Sequence, residues 1–240
     1  FEAFDRHPRL RMLIGDVRDR RRLEWAMTSV DTVIHAAALK RIEVGHYNPS
    51  EMVKTNVLGT MNVAEAAIAA GVGRVVGVSS DKAYMPVSPY GLSKAMGEAV
   101  LLASNNIAGV HGPSFGACRY GNVAGSTGSV IPVWRERIAI EQAIEMRDPD
   151  ATRFWMTVEQ AVDLVLQTAA GTEQLRVPDL PAFRLGDLAA AMGAHQGSYP
   201  IHRTALGPWE KKHETLKDGC SSDTARRMTV PELQEALTHV

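Results

Sequence analysis

Short, almost wholly apolar runs that alternate with longer stretches of helical periodicity constrain this chain more than any other feature. Leu10–Ile14, Thr32–His35, Arg74–Val78 and Phe115–Arg119 read as strands. The first closes on Gly15-Asp16, the second on Ala36-Ala37-Ala38 and the third on Ser79-Ser80. Strands without polar alternation belong in a parallel sheet covered on both faces. Pro49–Ala70, Ser88–Ser104 and Val158–Ala169 carry apolar residues at helical spacing, the first opening on a proline. Such alternation implies right-handed βαβ units, hence an α/β fold with a doubly wound parallel sheet. Beyond about Thr172 the pattern loosens. "RVPDLPAFRLGDLAAAM" and "LGPWEKKHETL" read as a smaller lobe that ends in a helix over Pro231–Val240. The expected division gives 1–130 to the sheet domain, with a helix at 157–170 also packed on it, and 131–240 mainly to the lobe.

The 240 residues suffice for one large domain with a small appended lobe. A formal net charge of −1 supplies no field for nucleic acid. No apolar run is long enough to insert in a membrane, and the N-terminus lacks a signal-peptide pattern. Cys118 and Cys220 lie far apart, and the eight histidines show no ligand spacing, so no metal and a reducing, cytoplasmic setting are expected. A sheet of this kind that binds a dinucleotide opens with a strand, a Gly-rich turn and a helix. Nothing before Arg11 fits, and Gly121, Gly125 and Gly128 come too late. The chain is therefore expected to begin partway into such a fold, without its first βαβ element. "AHQGSYP" (194–200) and "DGCSSD" (218–223) read as shortened loops.

The stretch "SSDKAYMPVSPYGLSK" (79–94) concentrates the chemistry. Tyr90 and Lys94 are four apart on a helix and share a face. A free phenol titrates near pH ~10, and a neighbouring cation favours the phenolate. The pair suits proton abstraction from a hydroxyl while hydride leaves the carbon. Ser80, at the strand's carboxyl end, is placed to bond the same hydroxyl. Asp81 and Lys82 read either as a surface ion pair or as a general acid beside a general base. A lysine shielded from water loses part of its preference for the charged form.

Several motifs in order resemble one family. They are "IGDVRD" (14–19), "IHAAALK" (34–40), "YNPSEMVKTNVLGTMNV" (47–63), "SSDKA" (79–83), "YGLSK" (90–94), "RYGNVAGSTGSVIP" (119–132), "TRFWMT" (152–157) and "EKKHE" (210–214). The chain resembles the extended short-chain dehydrogenase/reductases and, within them, the inverting UDP-N-acetylglucosamine 4,6-dehydratases of surface-glycan biosynthesis. The resemblance implies a Rossmann-like fold, a UDP-sugar substrate, and NADP or NAD held tightly and recycled. It implies that Tyr90, with Lys94 and Ser80, deprotonates O4, that Lys82 removes the C5 proton, and that Asp81 protonates the departing C6 hydroxyl. Hydride then returns to C6, and C5 is inverted. The Asp–Lys pair with Tyr90 points to this type rather than to 4-epimerases or to dehydratases with Asp–Glu.

The remaining positions follow from the same resemblance. Asp16 and Val17 match residues that hold adenine, although Asp16 equally suits capping of the next helix. Ala36, Ala37 and Ala38 leave room for the ribose and nicotinamide, or merely pack. Lys40 reaches cofactor or substrate, or faces solvent. Asn56 braces the loop after the neighbouring strand. Tyr120, Gly121, Asn122 and Val123 hold nicotinamide and sugar. Arg153 and, secondarily, Arg203 and Glu210 are assigned to the nucleotide end. Trp155 and Trp209 read as packing residues, and His213 and Glu214 have no assigned role. A homodimer or higher homo-oligomer through Pro49–Ala70 and Ser88–Ser104 is expected. Two competing readings are a UDP-hexosamine epimerase and a non-catalytic nucleotide-sugar-binding subunit.

Overall fold

The computed structural model describes residues 7–193 and 200–240. The chain opens with α1 (Arg20–Ala26), capped by Asp19, whose side chain accepts from Arg22 N. Strand β1 (Thr32–His35) and the short α2 (Ile42–Tyr47) follow. Then come α3 (Pro49–Met52), a π-helical turn over Val53–Leu58, and α4 (Gly59–Ala70), which ends at Gly71 in the left-handed region, φ 70°. Strand β2 (Arg74–Val78) leads into a 3₁₀ turn over Asp81–Ala83 and the long α5 (Pro89–Ala108). Ser88 caps α5 by accepting from Gly91 N at 3.1 Å, with Pro89 at the first helical position. Strand β3 (Ser114–Cys118) is followed by α6 (Val130–Ala139), β4 (Ile144–Met146), β5 (Thr152–Phe154) and α7 (Val158–Ala170). The remainder is β6 (Leu175–Arg176), β7 (Ala182–Arg184), α8 (Leu185–Ala191), β8 (Ile201–Arg203), the hairpin β9 (Thr215–Lys217) and β10 (Cys220–Ser221), and α9 (Val230–Leu237).

The main sheet has the order β1-β2-β3-β6 and is parallel throughout. Val76 sits at its centre, paired with Ile34 on one side and Gly116 on the other. Alternation along β3 divides the two faces. Phe115 and Ala117 pack with Val63 and Ala67 of α4 and Leu101 of α5. Cys118 packs on the opposite side with Ala161 and Leu164 of α7. A further apolar cluster joins Trp134, Trp155, Phe183, Leu188 and Leu233. Each of α7 and α9 starts with a capping box, Thr157 with Gln160 and Thr229 with Glu232. No helix among the described residues is long and apolar enough to cross a membrane.

The expected α/β parallel sheet is present, with several shifts of detail. Leu10–Ile14 is not a strand: the run pairs with no neighbour, and Ile14 is 94% exposed. Apolar content signals burial potential but cannot provide a ladder partner, and within the described residues β1 pairs only with β2. Pro49–Ala70 is helical throughout but widens to a π-turn at its middle. The helix expected over Ser88–Ser104 continues to Ala108, and the last helix runs Val230–Leu237. The 218–223 stretch forms a tight hairpin in which Asp218 and Gly219, φ 73°, connect β9 to β10. Of 194–200, only Pro200 lies among the described residues.

The π-turn has an identifiable neighbour. Gly97 of α5 approaches so closely that a Cβ there would lie 2.5 Å from the Asn56 carbonyl oxygen. That oxygen also accepts from Thr60 Oγ1 at 2.7 Å. Substituting Gly97→Ala should therefore cost about 1–3 kcal/mol by overpacking, despite the roughly 1 kcal/mol that alanine gains over glycine in a helix. Thermal unfolding should show a midpoint lower by several degrees, and an unchanged or higher midpoint would show that the π-turn yields freely.

Candidate active site

The carboxyl ends of β1, β2 and β3 open on the same side of the sheet, where ligands of parallel sheets bind. A cleft of 640 Å³ lies there. Its walls include Ala36 and Ala38 after β1, Ser80, Asp81 and Lys82 after β2, Tyr120 to Val123 after β3, and Tyr90 and Lys94 from α5. A groove of 510 Å³ shares Ala38 and Lys40 with it and ends at Asp16 and Arg18. On the other side, chambers of 340 Å³ and 180 Å³ share Asn122 with it and add Arg153 and Glu210.

Asp81 and Lys82 point into this cleft together with Tyr90. Asp81 is 1% exposed. Its Oδ1 accepts from Ser80 Oγ at 2.8 Å and from Lys82 Nζ at 3.1 Å, while its Oδ2 lies 3.3 Å from the same nitrogen. Ser80 also caps the 3₁₀ turn, accepting from Lys82 N at 3.1 Å. The site therefore rigidifies its own carboxylate through the residue before it.

The charge states depart from the sequence-based expectation. Burial alone would push the Lys82 ammonium down, but the Asp81 and Glu214 carboxylates outweigh it and hold it well above the usual lysine range. Lys82 is thus a firmly charged ammonium here, not a lysine loosened by shielding. Burial raises the Tyr90 phenol, and Lys82 and Ser80 only partly oppose that rise. The cation acting on the phenol is Lys82 rather than Lys94. Lys94 Nζ donates to Val78 O at 2.7 Å, and burial lowers its own pKa.

Beneath the cleft, two networks lock the supporting elements. Glu98 of α5 forms an ion pair with Arg119 and accepts from Ser79 Oγ. Arg119 in turn donates to Leu216 O at 2.7 Å, tying β3 to the lobe. Asn56 braces the loop after β1 as expected. Its Oδ1 accepts from Leu39 N at 2.8 Å, and its Nδ2 donates to Leu39 O and to Ser93 Oγ, each at 2.9 Å. His35 Nε2 lies 3.0 Å from Thr60 Oγ1. That hydroxyl already donates to Asn56 O, so Nε2 donates to it, and burial favours the uncharged ring.

Other expected residues divide clearly. Asp16 does not cap α1, which Asp19 does. It is clamped by Arg18, whose backbone N donates to Oδ1 at 2.9 Å, and the Arg18 hydrogen bonds draw its pKa down to about 2. Val17 turns its side chain to α4, where a Cβ on Gly59 would meet it at 2.8 Å, and its carbonyl oxygen accepts from Asn62 Nδ2 at 3.0 Å. Ala37 is not among the cleft-lining residues, since its neighbours on either side take that face. Lys40 spans the cleft and donates to Thr127 O at 3.0 Å. Arg153 lines both smaller chambers. Glu210 lines them too, but it is held by Arg147 and accepts from Gly207 N at 2.9 Å. Arg203 stands exposed in β8, paired along the backbone with Met146, and lines none of these clefts. Trp155 packs edge-on against Phe183, as expected of a core residue, whereas Trp209 stacks on His46 at 4.6 Å.

Sequence reading left Glu214 without a role and missed Lys211 and Arg147. Glu214 Oε1 lies 3.4 Å from Lys82 Nζ, Lys211 Nζ donates to Tyr84 O at 2.5 Å, and Arg147 pairs with Glu210. The charge-rich "EKKHE" was the only signal for the first two, and nothing near Arg147 marked it. The residues fit a nicotinamide dinucleotide. Ala36 and Ala38 leave a wall without bulk, the Lys94 ammonium retains donors beyond its bond to Val78, and Asn122 Oδ1 is buried without a partner.

A parallel sheet covered by helices on both faces, with an acid, an amine and a phenol at its strand ends, defines a Rossmann-like α/β protein. The chain belongs to the family described as "Polysaccharide biosynthesis protein", whose model matches residues 3–234. It is 41% identical over 213 residues to a UDP-N-acetylglucosamine 4,6-dehydratase (inverting) of Campylobacter jejuni, covering 87% of this chain and 63% of that protein. It is 39% identical over 213 residues to a UDP-glucose 4-epimerase of Rickettsia canadensis, covering 88% and 62%. It thus spans less than two thirds of either relative. The solved structure of Pen from Bacillus thuringiensis superposes with a TM-score of 0.92 at 32% identity, covering 100% of this chain and 85% of that one.

The buried His35 makes stability depend on pH. Burial, assisted by the Lys94 charge, lowers its pKa from 6.5 to about 4. The unfolded chain takes up this proton first as pH falls, so the contribution is complete above pH ~6.5 and is lost through pH ~4. Between pH 7.5 and 5.0 it amounts to about 2 kcal/mol. The drop in unfolding free energy over that range should be smaller by about this amount in His35→Gln, and an equal drop in both proteins would reject the assignment.

Proposed function

We propose that the protein is a UDP-N-acetylglucosamine 4,6-dehydratase that inverts C5, and that residues 1–130 mainly hold the dinucleotide while 131–240 mainly bind the sugar nucleotide. The observation that carries this reading is the convergence of Asp81, Lys82 and Tyr90 on one cleft, with Lys82 in contact with two carboxylates. Arg153, the N-terminus of α6 at Gly128 and Ser129, and the unpartnered Ser129 hydroxyl suit a diphosphate. A nicotinamide dinucleotide, NADP or NAD, bound along Ala36, Ala38, Lys94 and Asn122 supplies reversible hydride acceptance.

The chain's own residues then divide the proton work. Tyr90, with Ser80 beside it, takes the O4 proton. The resulting ketone acidifies C5–H. Lys82 takes that proton, and Asp81 gives its own to the C6 hydroxyl, which leaves as water. The pair must therefore begin as carboxylic acid and free amine and ends as carboxylate and ammonium. The arrangement seen here is the second of these. A bound sugar that displaces water raises the cost of separated charge and favours the neutral form. In deuterated water with UDP-N-acetylglucosamine, NMR should show a 4-keto-6-deoxy product with inverted C5. A product that keeps its C6 oxygen would instead establish an epimerase, the activity named for the Rickettsia relative.

The exposed Leu58 and Met61 at α4, with Leu92 and Met96 four apart on α5, support a homo-oligomer through these helices. Both cysteines are free, in keeping with the proposed cytoplasmic setting. Lys82→Ala should lower water loss by at least about 10³-fold, within the range for a general base, while reduced-nicotinamide absorbance still reports C4 oxidation through Tyr90. Normal turnover by this variant would remove Lys82 as the base.

A further inference from the structure

Glu214 is 3% exposed and lies on the segment entering β9. Ser222 fixes its main chain: Glu214 N donates to Ser222 Oγ and Ser222 N donates to Glu214 O, both at 2.8 Å. Its Oε1 sits 3.4 Å from Lys82 Nζ and 3.9 Å from Arg153 Nε. Its Oε2 is 3.8 Å from Lys211 Nζ and has no hydrogen-bond partner. The carboxylate lines the 180 Å³ chamber beside Lys82 and Asn122. A buried carboxylate that is incompletely bonded is costly to keep, and such groups concentrate at functional sites.

We propose that Glu214 is the positioning residue of the elimination, anchoring Lys82 Nζ from behind and becoming its counter-charge when the C5 proton arrives. The inference rests on the dehydratase reading above. In the step, the C5–H bond breaks and an N–H bond forms on Lys82. The electron pair left on carbon forms the new double bond and expels the C6 oxygen, which leaves as water with the Asp81 proton. While Asp81 engages that oxygen, it no longer holds the amine as a charge. Glu214 is then the remaining acceptor for a Lys82 N–H, which leaves the nitrogen lone pair for the cleft. The charged or titratable groups facing Lys82 are Asp81 from its own turn, Tyr90 from α5, Arg153 from β5, and Lys211 and Glu214 from the segment before β9. Of these, only Asp81 and Glu214 lie as carboxylates against the ammonium.

Glu214→Gln keeps the shape and an acceptor but removes the charge. Reductive methylation followed by peptide mass spectrometry reads the free-amine share of Lys82 without any substrate. At pH 9 Lys82 in the variant should react about tenfold faster than in the wild type, as one unit of pKa implies, with exposed Lys54 unchanged. Single-turnover measurements with UDP-N-acetylglucosamine should show C4 oxidation within twofold of the wild type. C5 deuterium uptake and water loss should be slower by roughly 10- to 100-fold, the worth of one hydrogen bond to a charged group. Glu214→Asp, which retains the charge, should recover part of this loss, and it serves as the test variant if the glutamine protein does not fold. Unchanged Lys82 labelling, or equal slowing of oxidation and elimination, overturns the proposal. If the wild type forms no 4-keto-6-deoxy sugar, the reading of the reaction fails by itself, and labelling still decides whether Glu214 governs Lys82.

Discussion

Holding an ammonium between two nearly water-free carboxylates is the constraint on which the rest of this structure depends. Separated charges in a protein interior lose hydration worth several kcal/mol each, so every member must be fixed by something else. Asp81 is fixed by Ser80 and by the turn that Ser80 caps. Glu214 is fixed by Ser222, which also bonds Thr152 at the start of β5. Lys82 therefore ties the strand end of the sheet to the lobe. The contact is more than adhesion, because it sets which proton resides on which atom.

Helix α5 transmits this arrangement to the rest of the fold. Along one helix it carries the phenol Tyr90, the Asn56 partner Ser93, the ammonium Lys94 and the carboxylate Glu98. Two glycines let it come close enough. A Cβ on Gly91 would lie 2.5 Å from Lys82 O, and one on Gly97 the same distance from Asn56 O. The π-turn at Val53–Leu58 is the matching adjustment on the other side, and such turns recur at functional sites. Helix position and site geometry are thus a single property of the packing.

Much of this was legible before any coordinates. β1 and β2 have the bounds the sequence runs gave; β2 is buried almost throughout and so writes its position as near-continuous hydrophobicity, whereas β1 leaves Thr32 and Ile34 exposed. The start of α5 was read to within a residue, because Ser88 and Pro89 mark a helix start. The grouping of Asp81, Lys82 and Tyr90 was also visible, since a short connection after a strand leaves them few places to go. Leu10–Ile14 misled because hydrophobicity cannot reveal whether a neighbouring strand exists. The role of Glu214, and Lys211 altogether, were hidden because their partners Lys82 and Tyr84 lie over a hundred residues earlier in the chain. Arg203 was assigned on residue type alone, and in the fold it stands exposed in β8 and lines none of the clefts.

The charge on Lys82 shows most plainly what sequence cannot encode. Burial and neighbouring carboxylates push a lysine's pKa in opposite directions, and only distances decide between them. With Asp81 at 3.1 Å and Glu214 at 3.4 Å, the carboxylates win. The same reasoning applies to Tyr90, where desolvation defeats the Lys82 charge and the phenol keeps its proton. Amine and phenol are thus both held protonated, the first by its carboxylates and the second by desolvation. A site poised this way spends little reactivity on water. Because Lys82 acts on both Asp81 and Tyr90, a ligand that neutralises the ion pair also removes a charge that favours phenolate, so in the proposed reaction oxidation at one carbon and elimination at the next would be coupled through a single nitrogen.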